Sequence, residues 1–433
     1  MQIQKPKQGY KLVKSLFGKY KEIPEEWNVT KLSEVGDIVG GGTPDSTKKE
    51  YWNGNIWWAI PTDITKLSGN FTDKTERTIT ELGLKESSAK LLPPNSILVT
   101  SRATIGECAI NLVPMSTNQG FQSIICNSKN NNLFIFYAIK FHKNTLLRLA
   151  YGTTFLEISK SEMKKVEITV PELYREQQKI ASILSNVDSL IQQTQKIIEH
   201  TQRLKKSFLY NLFTKGMGHE KFCTIVYGTR WMKMEIPDDW DHKKLNDVAK
   251  FRQGLQIAKV NRYRAGGGNR MKLIKILDFY DDYDESGEYI DTPSSSKQSV
   301  ICNEDDIIVA RTGNTLGMIL TNVEGVFHNN TFALDYDRNI FLKMFFYYYL
   351  NTPQVQLFIK IISTRTGQPD LTHKEFSHLV VPIPPKKEQE KIISVISLMD
   401  SKIQEESKYN SKLVNLKKGL MQKLLTGQIR VKV

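Results

Sequence analysis

Only four cysteines occur in 433 residues, and they stand far apart, at Cys108, Cys126, Cys223 and Cys302. No two form a C-x-x-C pair, so neither a zinc ribbon nor a disulfide framework is suggested, and a reducing, cytoplasmic setting fits best. Long hydrophobic runs are missing as well. No stretch reaches the ~18 uncharged apolar residues of a membrane span. The greasiest window, Asn339 to Leu350, contains Lys343. The N-terminus is polar and lysine-rich, without the apolar centre of a signal peptide. Enzyme signatures are absent too. There is no Walker A motif, no D/N-P-P-Y/F tetrapeptide of an amino-methyltransferase and no glycine-rich cofactor loop after a strand. Glu-x-Lys triplets such as Glu162-Met163-Lys164 recur by chance, and the seven histidines lack metal-ligand spacing. No catalytic residue, metal site or cofactor is therefore expected in this chain.

What is present describes a folded chain. Hydrophobic residues make up 40% and charged residues 24%, which excludes disorder as the main architecture. The length predicts two or three domains at about 150 residues each. The net charge of +14 favours a polyanionic partner, nucleic acid first. That charge is unevenly placed. Residues 24–171 carry a net +1 and residues 237–385 a net −2, while residues 1–23 alone carry +5. Any nucleic-acid contact by the globular parts must rest on local patches.

The chain repeats itself at an offset of 212 or 213 residues. Glu176-Gln177-Gln178-Lys179-Ile180 returns as Glu388-Gln389-Glu390-Lys391-Ile392, and Leu204-Lys205-Lys206 as Leu416-Lys417-Lys418. Ungapped comparison from residue 176 to 214 finds 16 identities in 39 positions, where chance gives two or three. Ile23-Pro24-Glu25-Glu26-Trp27 matches Ile236-Pro237-Asp238-Asp239-Trp240. Thr104-Ile105-Gly106 matches Thr315-Leu316-Gly317, Asn118-Gln119 matches Asn329-Asn330, and Ile158-Ser159 matches Leu371-Thr372. The chain is a tandem duplication of a globular unit followed by a long helix. Between the matches the globular units diverge, which separates a shared scaffold from two differently tuned surfaces.

No glycine or proline interrupts residues 174 to 214. Apolar positions run Ile180, Leu184, Val187, Ile191, Ile198 and Leu204, and in the second copy Ile392, Ile396, Met399, Ile403, Leu413 and Leu416, and their early steps alternate 4 and 3 in the way of a coiled-coil seam. Each helix spans about 40 residues, roughly 60 Å at 1.5 Å per residue. A helix with one apolar stripe needs a partner, and the natural partner is the other copy, packed antiparallel. Polar seam positions at Thr194, Thr201, Glu406 and Asn410 either fix register or merely interrupt the stripe.

The globular units mix buried strands (Ile97-Leu98-Val99, Ile307-Ile308-Val309) with helical stretches at 134–148 and 341–360, so the class is α+β. The first unit carries Gly40-Gly41-Gly42-Thr43-Pro44, then Lys48, Lys49, Tyr51-Trp52 and Trp57-Trp58. Its glycines permit close backbone approach, and its hydroxyls and lysines suit phosphates. Taken alone, the segment is better explained as a surface turn beside a tryptophan-lined core. The second unit runs from Lys250 to Lys275 without an acid, through Arg252, Lys259, Arg262, Arg264 and Arg270. Such a run suits nucleic acid or a solvated face. Asp278 to Asp291 then holds seven acids and no base.

The whole chain, from about residue 10 onward, resembles the specificity subunit of type I restriction–modification enzymes. The resemblance rests on the two I-P-x-x-W unit starts, the G-G-T-P segment with Tyr51-Trp52, Arg102-Ala103-Thr104-Ile105-Gly106 after a strand, Asn118-Gln119, and the paired E-Q-x-K-I helices after proline. It implies two target recognition domains, separated by two long antiparallel helices that form a coiled coil with internal pseudo-two-fold symmetry. The expected division is an N-terminal tail (1–22), first recognition domain (23–171), first spacer helix (172–216), linker (217–235), second recognition domain (236–385) and second spacer helix (386–433). The resemblance further implies a non-catalytic subunit that reads a bipartite double-stranded DNA site. It would dock two methyltransferase subunits and, through them, restriction subunits. S-adenosylmethionine, ATP and Mg would belong to those partners. On this basis the DNA-facing residues expected are Thr43, Lys48, Lys49, Arg102, Thr104, Asn118 and Gln119 in the first unit. In the second they are Arg252, Arg262, Arg264, Arg270, Arg311, Asn314, Asn329 and Asn330. There Gly254-Leu255-Gln256-Ile257 stands in place of G-G-T-P, and Gly313-Asn314 in place of Arg102-Ala103. A scaffold with two adhesive domains, or a stand-alone DNA-modifying enzyme, would also account for parts of this pattern.

Overall fold

A computed structural model describes residues 5–432 except 15, 17, 19, 153–155, 229–230, 265, 276–286, 295–298 and 364–368. Most of the acidic run beginning at Asp278 lies outside the described residues. The chain divides into two compact units, residues 1–197 with 406–433 and residues 198–405. Both boundaries fall inside the long helices.

The first unit holds a five-stranded sheet in the order Gly36–Gly40, Gln122–Cys126, Ile97–Val99, Cys108–Asn111, Phe71–Thr72. Its first three pairings are antiparallel and the last is parallel. Ile97, Leu98 and Val99 are buried on both faces, as a continuous apolar run requires. Trp52–Ala59 is the centre of a smaller sheet between Met115–Thr117 and Arg77–Ile79. Helix Asn132–Phe141 is capped by the Asn131 side chain, which accepts from the Phe134 amide. The second unit repeats the plan with Ala249–Gln253, Thr331–Tyr336, Ile307–Ala310 and Ile319–Leu320, all antiparallel. A second sheet orders Tyr289–Asp291, Arg270–Ile274, Gly325–Phe327 and Ile301–Cys302.

The segments read as tail and linker carry matching antiparallel hairpins, Tyr10–Lys14 with Tyr20–Pro24 and Phe222–Val226 with Lys233–Pro237. In both copies the hairpin ends at the I-P dipeptide of the unit start.

The long helices span Tyr174–Leu212 and Lys386–Leu424. Gly216 and Gly427 follow them with φ of 59° and 72°, the left-handed conformation that ends helices. One glutamine holds each start. Gln177 donates to the Pro171 and Lys129 carbonyls and accepts from the Asn131 amide. Gln389 does the same with Pro384, Ile340 and Leu342.

Within each unit the helix segments run antiparallel. In the first, Glu176 receives Arg430 and Asp188 receives Lys417. In the second, Glu388 receives the Met217 amide and His219, while Asp400 receives Lys205. The clusters are reciprocal under the repeat, since Asp188 and Lys205 correspond to Asp400 and Lys417. Tyr137 and Tyr348 complete them, donating to Asp188 and Asp400 at 2.7 and 2.8 Å. Each tyrosine ring also lies under the lysine of its cluster.

The seam differs from its sequence reading at two positions. Ile180, Leu184, Val187, Ile198, Ile392, Ile396 and Leu413 are buried, and Ile191, Met399 and Ile403 are half-buried. Leu204 and Leu416 are exposed. Steps of 4 and 3 from Ile198 through Thr201 reach Lys205, and those from Leu413 reach Lys417. At those positions an aspartate on the facing helix replaces the apolar neighbour that a leucine would need.

Candidate nucleic-acid interface

In each unit four chain segments converge where the central sheet ends. Gly40 pairs with Gln122 in the ladder, and the chain beyond them forms the loop 41–49 and the turn 118–121. A Cβ on Gly41 would lie 2.0 Å from the Asn118 carbonyl oxygen, and one on Gly42 would lie 2.3 Å from the Ala89 nitrogen. Glycine is there because two backbones touch, not for a special φ. This approach lets the Thr43 hydroxyl donate to the Gln119 side-chain oxygen. Asn118 stiffens the turn by accepting from the Gly120 amide at 2.9 Å. The Ser101 amide donates to Gly120 O and the Ile158 amide to Ser101 O, which sets Arg102 and Glu157 beside the turn. Arg102 Nε lies 2.8 Å from a Glu157 carboxylate oxygen. Ala103 bends the chain at φ 55°, a conformation that costs a non-glycine residue energy.

The loop is fastened from beneath. Trp58 Nε1 donates to Gly42 O and Trp52 Nε1 to Asp45 O, at 2.9 and 3.1 Å. The Arg77 guanidinium lies 3.9 Å from the Trp52 ring centre and 5.3 Å from that of Trp58. Sequence reading passed over Arg77. Arg77→Ala should lower stability by about 0.5–1 kcal/mol through the lost cation–π contact, read as a small shift in a urea unfolding midpoint. Hydrogen bonds from the Thr47 hydroxyl and amide hold the Asp45 carboxyl below its usual range. Lys48 donates to the Tyr51 hydroxyl at 3.0 Å, while Lys49 is exposed nearby. Thr104 lies within the turn, its carbonyl accepting from Thr100.

The second unit builds the same edge from other side chains. A Cβ on Gly254 would lie 2.2 Å from His328 O. The Leu255 amide donates to Phe327 O and the Asn329 amide to Leu255 O. Asn329 donates to the Gln256 side chain, the counterpart of the Thr43–Gln119 contact, and Gln253 donates to Asn329 O. The Arg311 amide donates to Asn330 O, and Leu371 N to Arg311 O. Arg311 then grips Asp370 with Nε and Nη2 at 3.0 and 2.7 Å. Thr312 bridges Asp370 where Arg102 bridges Glu157, so Arg102 corresponds to Thr312 and not to Gly313. Asn314 is exposed in the turn Gly313–Thr315.

The arginines of the basic run divide. Arg252 is tied to Asp306 and to the Ser299 and Ile301 carbonyls. Arg262 is held by Ile257 O, Glu288 and His328. Both hold the unit together. Arg264 and Arg270 are exposed, and Arg270 lies 3.7 Å from the Tyr263 ring centre. The structure thus brings together Thr43, Asn118, Gln119 and Arg102 in one unit, and Asn329, Asn330 and Arg311 in the other. Glu157, Asp370, Gln253 and Gln256 join them without having been singled out in the sequence. For the two acids a signal existed, since both stand one residue before the Ile158-Ser159 and Leu371-Thr372 match.

Among the described residues no three His, Cys, Asp or Glu side chains group as metal ligands, and no helix is long and apolar enough to cross a membrane. Burial pushes the Cys108, Cys126 and Cys302 thiols up to about 12, so none is a thiolate at neutral pH.

A family model described as the type I restriction modification DNA specificity domain matches residues 24–202 and again 237–414. The MjaIX specificity subunit of Methanocaldococcus jannaschii is 29% identical over 418 residues, 95% of each chain. The EcoR124I/EcoR124II specificity subunit of Escherichia coli is 32% identical over 191 residues, 42% of this chain and 46% of that one. In fold, an S subunit from M. genitalium aligns with a TM-score of 0.57 at 20% identity, covering 92% of this chain and 96% of that one. A chain from a type I R-M system aligns at 0.59 with 17% identity, covering 95% and 100%.

Proposed function

The chain belongs to the type I restriction–modification DNA specificity family, and we propose that each of its globular units reads one half of a split, asymmetric site in double-stranded DNA. The carrying observation is the four-segment edge, built twice on one backbone plan with different side chains. Thr43, Gln119 and Arg102 face one half-site. Gln253, Gln256, Asn329 and Arg311 face the other. Amides and arginines are the side chains that make bidentate contacts to base edges. Exposed Lys48, Lys49 and Arg264 suit phosphates.

In this reading the chain carries no chemistry. The long helices set the gap between half-sites and dock two methyltransferase subunits, through which restriction subunits join. S-adenosylmethionine, ATP and Mg act in those partners, in the cytoplasm. Selection of bound duplexes from a random pool by the chain with its methyltransferase subunits should enrich two short invariant blocks at a fixed gap. A single contiguous block, or none, contradicts the proposal. Arg264→Ala should weaken binding about equally on every sequence and reduce the slope of log affinity against log salt by about 1. Loss confined to one half-site would instead make Arg264 a base contact.

A further inference from the structure

Both reading edges contain an ion pair whose carboxylate stands at the same place in the fold. Glu157 and Asp370 each bridge the strand-end turn, and the following residue donates its amide to Ser101 O or Arg311 O. The arginines differ. Arg102 sits at the position of Thr312, and Arg311 at the position of Ser101. A pair kept merely by descent would draw its arginine from one position. Here the carboxylate is fixed and the arginine reaches it from either of two neighbouring positions.

Stability does not explain both pairs. The side chains are 42% and 35% exposed in the first unit, where a single-contact ion pair adds little, whereas the bidentate pair of the second unit, 26% and 34% exposed, adds more. Position explains more. Arg311 spends Nε and one Nη2 hydrogen on Asp370, and its Nη1 lies 3.5 Å from the Gln253 side-chain oxygen. The guanidinium plane is thereby fixed, while its outer hydrogens remain for a guanine edge, which needs two aligned donors. A phosphate approaching the same arginine meets the charge of the carboxylate.

We propose that Asp370 and Glu157 are specificity-determining positioning residues: Asp370 holds the guanidinium plane of Arg311, Glu157 tethers Arg102 through a single Nε contact, and both keep their arginine from non-specific phosphate contact. The inference rests on the reading of these arginines as DNA-facing. Removing the charge should raise affinity for unrelated DNA while lowering discrimination, a combination that structural damage does not produce.

The test uses the full chain with its methyltransferase subunits. Binding is measured by fluorescence anisotropy on the selected duplex, on single-base variants of it and on unrelated DNA, and folding is checked by thermal melting. Asp370→Asn should bind unrelated DNA about ten-fold tighter and lose about ten-fold in discrimination at one base pair of one half-site, the scale of a single mismatch. Asp370→Glu should keep discrimination. Glu157→Gln should do the same in the other half-site. Weaker binding to all DNA, or an unchanged specificity ratio in a folded variant, overturns the proposal. Arg311→Ala separates the layers. If it leaves discrimination intact at every position, the DNA-facing reading of Arg311 fails and the role of Asp370 fails with it. If Arg311→Ala relaxes one position and Asp370→Asn does not, only the positioning role is lost.

Discussion

Asp188→Ala is expected to destabilise the protein by about 3–5 kcal/mol, the cost of stranding a charge in a low-dielectric site. The Asp188 side chain is 10% exposed and that of Lys417 is 19% exposed. Three donors converge on the carboxylate, Lys417 at 2.5 Å, Asn70 at 2.6 Å and the Tyr137 hydroxyl at 2.7 Å. Tyr137 keeps its proton, because burial and then the Asp188 charge push its pKa up. Alanine removes the acceptor and leaves the lysine and tyrosine facing each other. Urea unfolding measures the loss. The double variant Asp188→Leu/Lys417→Met should recover part of it, since an apolar pair removes the stranded charge while the buried Asn70 amide and Tyr137 hydroxyl still lack the carboxylate as acceptor. Asp400→Ala should lose less, because its carboxylate is 37% exposed. Equal stability of Asp188→Ala and the parent protein would remove the cluster from any account of how the helices pair.

Gly41→Ala is the second variant with a large expected effect, and it acts on reading. The new Cβ would stand 2.0 Å from a backbone oxygen, 2.4 Å from the Thr117 hydroxyl oxygen and 2.5 Å from the Thr117 carbonyl oxygen. Neither backbone can yield without moving the loop, and overpacking of this kind costs about 1–3 kcal/mol. The Thr43–Gln119 contact is lost with the movement. Binding to the selected duplex should fall on the order of 100-fold, the scale of one to two mismatched base pairs, with all of the loss in one half-site. Gly254→Ala, whose Cβ would meet His328 O at 2.2 Å, should give the mirror result. Binding unchanged in both variants would place the reading surface elsewhere.

Much of this architecture is legible in the chain itself. Gln177 and Gln389 recur at the same place in the repeat, and each satisfies three backbone groups at the start of its helix. The 4-and-3 stepping shows the seam but not its contents. Leu204 and Leu416 look like seam residues because apolar character is the only guide along the sequence. Lys205 and Lys417 occupy the seam because aspartates lie opposite them, a fact of pairing that no local pattern holds. The basic run misleads for a similar reason. Arg252 and Arg262 are absorbed by Asp306 and Glu288, acids 54 and 26 residues away. The glycines at 41 and 42 are plain as a turn, but only the fold shows the backbones they admit. Glu157 and Asp370 are not legible as arginine partners because they lie 55 and 59 residues from Arg102 and Arg311, and only the fold brings them together.

The central claim is that the two units read independently. Its most direct measurement is the map of methylated bases produced in cells by the chain with its methyltransferase subunits, compared with that of a variant carrying Gln256→Ala, Asn329→Ala and Arg311→Ala. The account predicts a split motif with one fixed gap for the parent protein. In the variant, one block should relax while the other block and the gap stay unchanged. Relaxation of both blocks together, or a motif that was never split, would contradict it.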